Sequence, residues 1–326
     1  MHQKSLTLLS LLFLLATLAA CTGDTSDTYD TAGDSSEENL VARAQAIHER
    51  VLTIDTHDDI PFNFATDEVD PATADRQVNL TKMKAGGLDA GFFIVYVGQT
   101  ERTPENYETA KEQAMVKFNA IHRMAEDMYP DQIELAYTAD DVERIHESGK
   151  LVALIGIENG YVIGKDRSLL EKYHDLGARY ITLAHGGHND IADSATPREN
   201  LGDGEAEHDG ISAFGEDVIA EMNRLGIMVD VSHISKAAML DAVRLSKAPV
   251  IASHSSTRAL CDHPRNMDDE QLLALKENGG VMHTVALGTY VKTMQPEKQE
   301  ALDALREEMG ITSREAFRNL TDEQRA

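Results

Sequence analysis

Tryptophan is absent from the chain, and only two cysteines occur in its 326 residues. With Cys21 near the N-terminus and Cys261 far downstream, there is no disulfide framework of the kind that holds small loop-rich folds. Positive charge is scarce as well: 30 Lys and Arg stand against 56 Asp and Glu, a net charge of −26. That balance argues against nucleic acid as a partner and against electrostatic docking on anionic lipid. There is no Gly-rich phosphate loop and no repeat at a solenoid period.

Long apolar runs are also missing. The stretch from Leu8 to Ala20 spans only about 13 residues, short for a membrane crossing. It follows the basic Lys4 and ends in Leu18-Ala19-Ala20-Cys21, which resembles a bacterial lipobox. Residues 1–20 are therefore expected to be a lipoprotein signal peptide, with Cys21 lipidated. Residues 21–39 carry almost no apolar side chains and read as a flexible acidic tether. This arrangement implies a domain at the bacterial cell envelope, lipid-anchored on a periplasmic or outer-membrane face. Residues 40–326 suit one large α/β domain.

What the chain has is a recurring pattern of β-prone segments that run into a histidine or a carboxylate. Four carry it: Thr53 to Asp59, Leu151 to Glu158, Gly226 to His233 and Pro249 to His254. Strands are expected over 53–56, 90–97, 152–157, 180–184, 227–231, 250–253 and 281–287. Helical spacing separates them at 38–52, 80–85, 104–129, 139–148, 169–176, 214–225, 235–245 and 268–277. Seven strands alternating with helices match a (β/α)8 TIM-type barrel that lacks its eighth strand in this chain. Residues 293–326 are charged and helical in pattern, so the chain is expected to stop short of a complete domain by at least one βα unit of roughly 30 residues.

In such barrels the active site sits at the C-terminal ends of the strands, so residues remote in sequence can converge there. His57 and Asp59, two apart on a strand, share a face. Glu158 closes a run too apolar to leave a carboxylate without a partner. His233 and His254 each follow an apolar strand and a serine. Singly, each is as easily a capping or hydrogen-bonding group. Jointly, imidazoles and carboxylates at one barrel rim suit zinc or a similar cation.

These segments resemble the membrane dipeptidase (renal dipeptidase) family of zinc peptidases in the amidohydrolase superfamily. The likeness rests on Ile54-Asp-Thr-His-Asp-Asp59, Gly156-Ile-Glu158, Tyr180 to His185, Glu221 to Gly226, Val229-Asp-Val-Ser-His233, Val250 to Ser255 and His263-Pro-Arg-Asn266. It implies two Zn2+ per chain, one held by His57 and Asp59, the second by His233 and His254, with Glu158 bridging them. His185 would contact the scissile carbonyl oxygen, and Arg265 would grip the terminal carboxylate of a dipeptide substrate. The implied reaction is dipeptide hydrolysis by a metal-bridging hydroxide, because two divalent ions lower the pKa of bound water. Relatives commonly form homodimers. The family also supplies an aspartate from an eighth strand, and no residue of this sequence stands there.

Two other readings stay open: a metal-dependent hydrolase of another amide, such as an N-acyl amino acid, and a non-catalytic lipoprotein that binds peptide or metal. His188 and His208 fall in the long Gly186–Gly210 loop, which is expected to shape the substrate entrance. His283 is expected to be structural, and Cys261 a small buried side chain.

Overall fold

Alternation of apolar strands with capped helices sets the architecture. The computed structural model describes residues 37–311 together with 320 and 321. The expected signal, Cys21 and most of the tether lie outside that range. The chain divides after Ala46. What is described before that point belongs to α1 (Glu37–His48), which ends earlier than the helix expected over 38–52.

The second unit opens with β1 (Ile54–Asp59), α2 (Leu80–Gly86), β2 (Ala90–Tyr96) and α3 (Pro104–His122). A π-helical turn over Arg123–Met128 extends α3, and β3 (Ile133–Leu135), α4 (Ala139–Glu147) and β4 (Leu151–Glu158) follow. Then come α5 (Ser168–Asp175), β5 (Ala178–Thr182), α6 (Ala213–Leu225), β6 (Met228–Asp230), α7 (Lys236–Leu245) and β7 (Ile251–Ser255). Last among the described residues are α8 (Asp269–Asn278), β8 (Val281–Thr284), α9 (Gly288–Val291) and α10 (Pro296–Glu308). Local chemistry fixes the helix ends. Thr138 with Asp141 and Asp268 with Gln271 form capping boxes on α4 and α8. Gly226 and Gly279 take left-handed conformations that end α6 and α8.

All strand pairings are parallel, in the order β1-β2-β4-β5-β6-β7-β8. The sheet is thus a nearly closed α/β barrel of seven strands in series, as the alternation predicts. The eighth strand found here is β3, which sequence reasoning missed. It pairs with the first half of β4, from Ile133↔Leu151 to Leu135↔Ala153, while β5 takes the second half. Three residues give too little alternation to register as a strand.

Every residue of β4 is buried, as expected for a parallel strand covered on both faces. The period-two pleat sorts side chains into two groups. Phe92, Ile94, Val152, Leu154, Tyr180 and Ile251 form an inner cluster. Phe93, Val95, Ile155, Ile157 and Val229 join the larger core shared with the helices. β1 and β8 are the two edges, each paired on one side among the described residues. Ile54 and Val281 are exposed there. A cavity of about 440 Å³ lies at this seam, lined among others by Asp55, His57, His254, His283 and Val285.

Candidate metal centre

Glu158 ends β4 at the C-terminal rim with its carboxylate inside. Four imidazoles surround its Oε1: His233 Nε2 at 3.0 Å, His185 and His254 at 3.4 Å each, and His57 at 3.6 Å. They come from β1, β7 and the loops after β5 and β6, so the barrel rim gathers residues spread over almost 200 positions. His185 lies three residues beyond the end of β5 rather than on it. His233 has φ = +71°, a left-handed conformation that costs a non-glycine residue of order 1 kcal/mol or more and points to a functional constraint.

The ring tautomers follow from the groups behind them. Tyr180 Oη donates to Thr56 O at 3.0 Å, so it accepts from His57 Nδ1, also at 3.0 Å. Ser253 Oγ donates to Asp230 Oδ2 at 2.7 Å and accepts from His254 Nδ1 at 2.9 Å. Both histidines therefore carry hydrogen on Nδ1 and present an Nε2 lone pair to the centre. Asp230 is itself fixed by the Ser232 and Ser253 backbone N–H groups, 3.0 and 2.9 Å away, and by the Thr182 hydroxyl at 2.5 Å. Gly156 is required at its position, since a Cβ there would overlap the Tyr180 ring.

This donor set fits divalent cations. His233 Nε2 and His254 Nε2 approach to 2.7 Å, and two lone pairs that close need a shared cation or proton between them. Glu158 with His57 and His254, and Glu158 with His185 and His233, form two groups whose ligand atoms lie within 4.8 Å of one another. Asp59 is outside both groups, exposed at the end of β1. A register shift between Asp55 and Asp58 interrupts the pleat, so the rule that residues two apart share a face does not carry over simply to His57 and Asp59.

Electrostatics keep three of the four imidazoles, those of His185, His233 and His254, neutral and available as ligands. Burial, with the Arg265 charge next, lowers His233 well below its ordinary value, and burial and His57 lower His254. Burial, chiefly, pushes His185 down to about 4. Burial opposes charge on His57 too, but Glu158 raises it on balance. Burial likewise opposes ionisation of Glu158, yet the surrounding imidazoles hold it well below the carboxylate range.

Arg265 is buried against the centre, not exposed. Its Nη2 donates to His254 O at 3.0 Å, its guanidinium lies 5.6 Å from the Tyr290 ring centroid, and its buried Nε has no partner among the described residues. His185 Nδ1 is likewise buried without a partner. The Gly186–Gly210 loop is held together by its own hydrogen bonds. Asp193 accepts from the backbone N–H groups of Glu207, His208 and Gly210. His188 accepts from Ser194 N at Nδ1 and reaches Gly204 O through Nε2. His283 lines the β1–β8 seam, and Cys261 is buried with its thiol against Thr289 O.

Sequence reasoning missed Tyr180, Asp230, Ser253 and Asn159. Asn159 is wholly buried at φ = +83° and ties β4 to the entrance loop through Asn189. The available signal was proximity to the candidate ligands: Asn159 and Ser253 adjoin Glu158 and His254, and Asp230 and Tyr180 precede His233 and His185 by three and five residues.

The chain is similar to several known dipeptidases. Dipeptidase tcpJ of Claviceps purpurea (strain 20.1) is 35% identical over 265 residues, covering 79% of this chain and 60% of its own length. Dipeptidase 3 of Mus musculus is 34% identical over 262 residues, covering 78% and 51% respectively. The crystal structure of the probable dipeptidase PvdM from Pseudomonas aeruginosa superposes with a TM-score of 0.78 at 30% identity, covering 83% of this chain and 69% of that one. The chain spans about half to two thirds of the length of the curated relatives it matches. A model of the membrane dipeptidase family, peptidase family M19, matches residues 41–317. With that match extending over most of the barrel, the chain belongs to the membrane dipeptidase family.

Proposed function

We propose that this protein hydrolyses dipeptides at a centre of two zinc ions. The observation that carries the reading is the convergence of four imidazoles on Glu158 Oε1, two of them with their Nε2 lone pairs fixed by buried hydrogen bonds. By the family resemblance, His57 and Glu158 would hold one ion, joined by Asp59 if that side chain turns inward from the end of β1; His233 and His254, with Glu158, would hold the other. Cations so placed supply activation of water near neutral pH and polarisation of a carbonyl.

The protein's own residues do the rest. His185 stays neutral down to about pH 4 and can donate a hydrogen bond to the oxygen of the scissile carbonyl as charge develops on it. Arg265, held by His254 O with its Nε still free, takes the substrate's terminal carboxylate as a charge-assisted pair. Membership of the family supports the substrate class, and lipidation of Cys21 would hold the domain at a membrane.

The test is a dipeptide panel assayed before and after chelation. The proposal expects hydrolysis that is lost to a chelator and restored by zinc. Activity insensitive to chelation would contradict it. Arg265→Ala is expected to raise KM for dipeptides, with little effect on substrates whose carboxylate is amidated. An equal effect on both would remove the carboxylate-clamp role. Cys21 is tested by the mass of the N-terminal peptide of membrane-extracted protein, where an unmodified thiol would rule the anchor out.

A further inference from the structure

Lys117 is the charged residue on the buried face of α3, and the proposed reaction leaves it unused. It lies on the stripe of Ala110, Ala114, Phe118 and Ile121 and is only 3% exposed. A lysine is almost never fully buried unless it is paired. Yet among the described residues its Nζ makes no hydrogen bond and no ion pair. It sits instead 4.9 Å from the Phe62 ring centroid and 5.7 Å from that of Tyr96. Tyr96 stands at the centre, its ring 4.7 Å from that of His185. The Arg198 charge also acts on the Tyr96 phenol, and the Arg198 guanidinium lies against Gly186 in the entrance loop. Two cations therefore act on Tyr96, Lys117 from α3 and Arg198 from the entrance loop, while Arg265 is held by His254 O of β7.

The charge balance shows why this wall needs an anion. The acids acting on Lys117 are Asp59 and Glu158, and both are assigned above to metal binding. Burial lowers the Lys117 ammonium to about 8, and with those two carboxylates committed to cations an anionic group beside it is what would keep it charged. Arg265 already accounts for the substrate's terminal carboxylate, so a second cationic wall calls for a second anionic group on the substrate.

We propose that Lys117, with Arg198, forms a specificity subsite for a carboxylate side chain on the N-terminal residue of the dipeptide, so that substrates beginning with Asp or Glu are preferred. The inference rests on the dipeptidase reading. Phe62 and Tyr96 supply the apolar walls, and Lys117 ends the subsite with a point charge suited to a single carboxylate.

The experiment compares kcat/KM of the zinc-loaded full chain for Asp-Ala, Glu-Ala, Ala-Ala and Lys-Ala. Calorimetric binding of the reduced-bond, non-hydrolysable analogues of Asp-Ala and Ala-Ala runs beside it. Wild type is expected to favour the acidic members by at least about tenfold in both measurements, equivalent to about 1.4 kcal/mol. Lys117→Met should bring the acidic-to-neutral ratio close to one, mainly through KM, and Lys117→Arg should restore most of it. Equal binding of the two analogues by wild type would overturn the subsite. So would an equal loss for both in Lys117→Met, which would make the lysine a counter-ion for Asp59 and Glu158 alone. If wild type cleaved no dipeptide, the dipeptidase reading would fail, while the calorimetric ratio would still decide the subsite.

Discussion

Tyr180 reaches His57 across 123 positions of sequence, and that one contact decides which nitrogen of the imidazole faces the centre. Second-layer groups of this kind commonly contribute 10- to 100-fold in metal affinity. Tyr180→Phe is accordingly expected to weaken zinc binding by about tenfold or more in chelator competition, and unchanged affinity would show that His57 does not depend on the phenol. His233→Ala or His254→Ala should remove at least one zinc per chain by elemental analysis and abolish hydrolysis. The candidate ligands were legible in the sequence because each ends an apolar run, where an ionisable group is out of place. Tyr180, Asp230 and Lys117 were not. Buried polar residues look like ordinary members of a strand or helix stripe until the fold shows what lies opposite.

At the level of elements, Gly156 shows how a strand makes room for the site. Gly156→Ala would drive a methyl group into the Tyr180 ring. Overpacking of that kind costs about 1–3 kcal/mol, and it should weaken zinc binding as well because Tyr180 holds His57. Urea denaturation and chelator competition on one variant test both effects, and a loss of stability with unaltered zinc affinity would uncouple them. Asp268→Ala, which removes the α8 capping box, should cost about 1 kcal/mol and leave zinc affinity alone. Five of the seven strands anticipated from apolar runs recur within two residues at each end, because parallel strands buried on both faces have nearly continuous apolar sequences, and β1 runs three residues further, to Asp59. β8 ends at Thr284 rather than Leu287. It is an edge strand, with no second neighbour among the described residues to extend its ladder. The β1 bulge was invisible in sequence, since alternation is scored without knowing the partner strand.

Across the whole molecule, the barrel rim concentrates ligands that do not bind one another well without a cation. Burying Glu158 among four imidazoles, with two Nε2 atoms 2.7 Å apart, makes the empty centre less stable than the loaded one. Zinc at a hundredfold excess over its dissociation constant stabilises a folded protein by about 2.7 kcal/mol per site. Chelation is therefore expected to lower Tm reversibly, and the loss should be much smaller in His233→Ala. A Tm indifferent to zinc would mean that the cluster is a structural hydrogen-bond network. The parallel barrel was readable at this scale from alternation alone. The exposure of β1 and β8 at the seam was anticipated only as far as the count of strands allowed.

The central claim is that the rim holds two cations around Glu158, and anomalous scattering from a zinc-soaked crystal at the zinc edge tests it most directly. The account predicts two peaks roughly 3.5–4 Å apart, both within coordination distance of Glu158, one beside His57 and the other beside His233 and His254. A map with no peak at Glu158, or with zinc only on surface carboxylates, would contradict it.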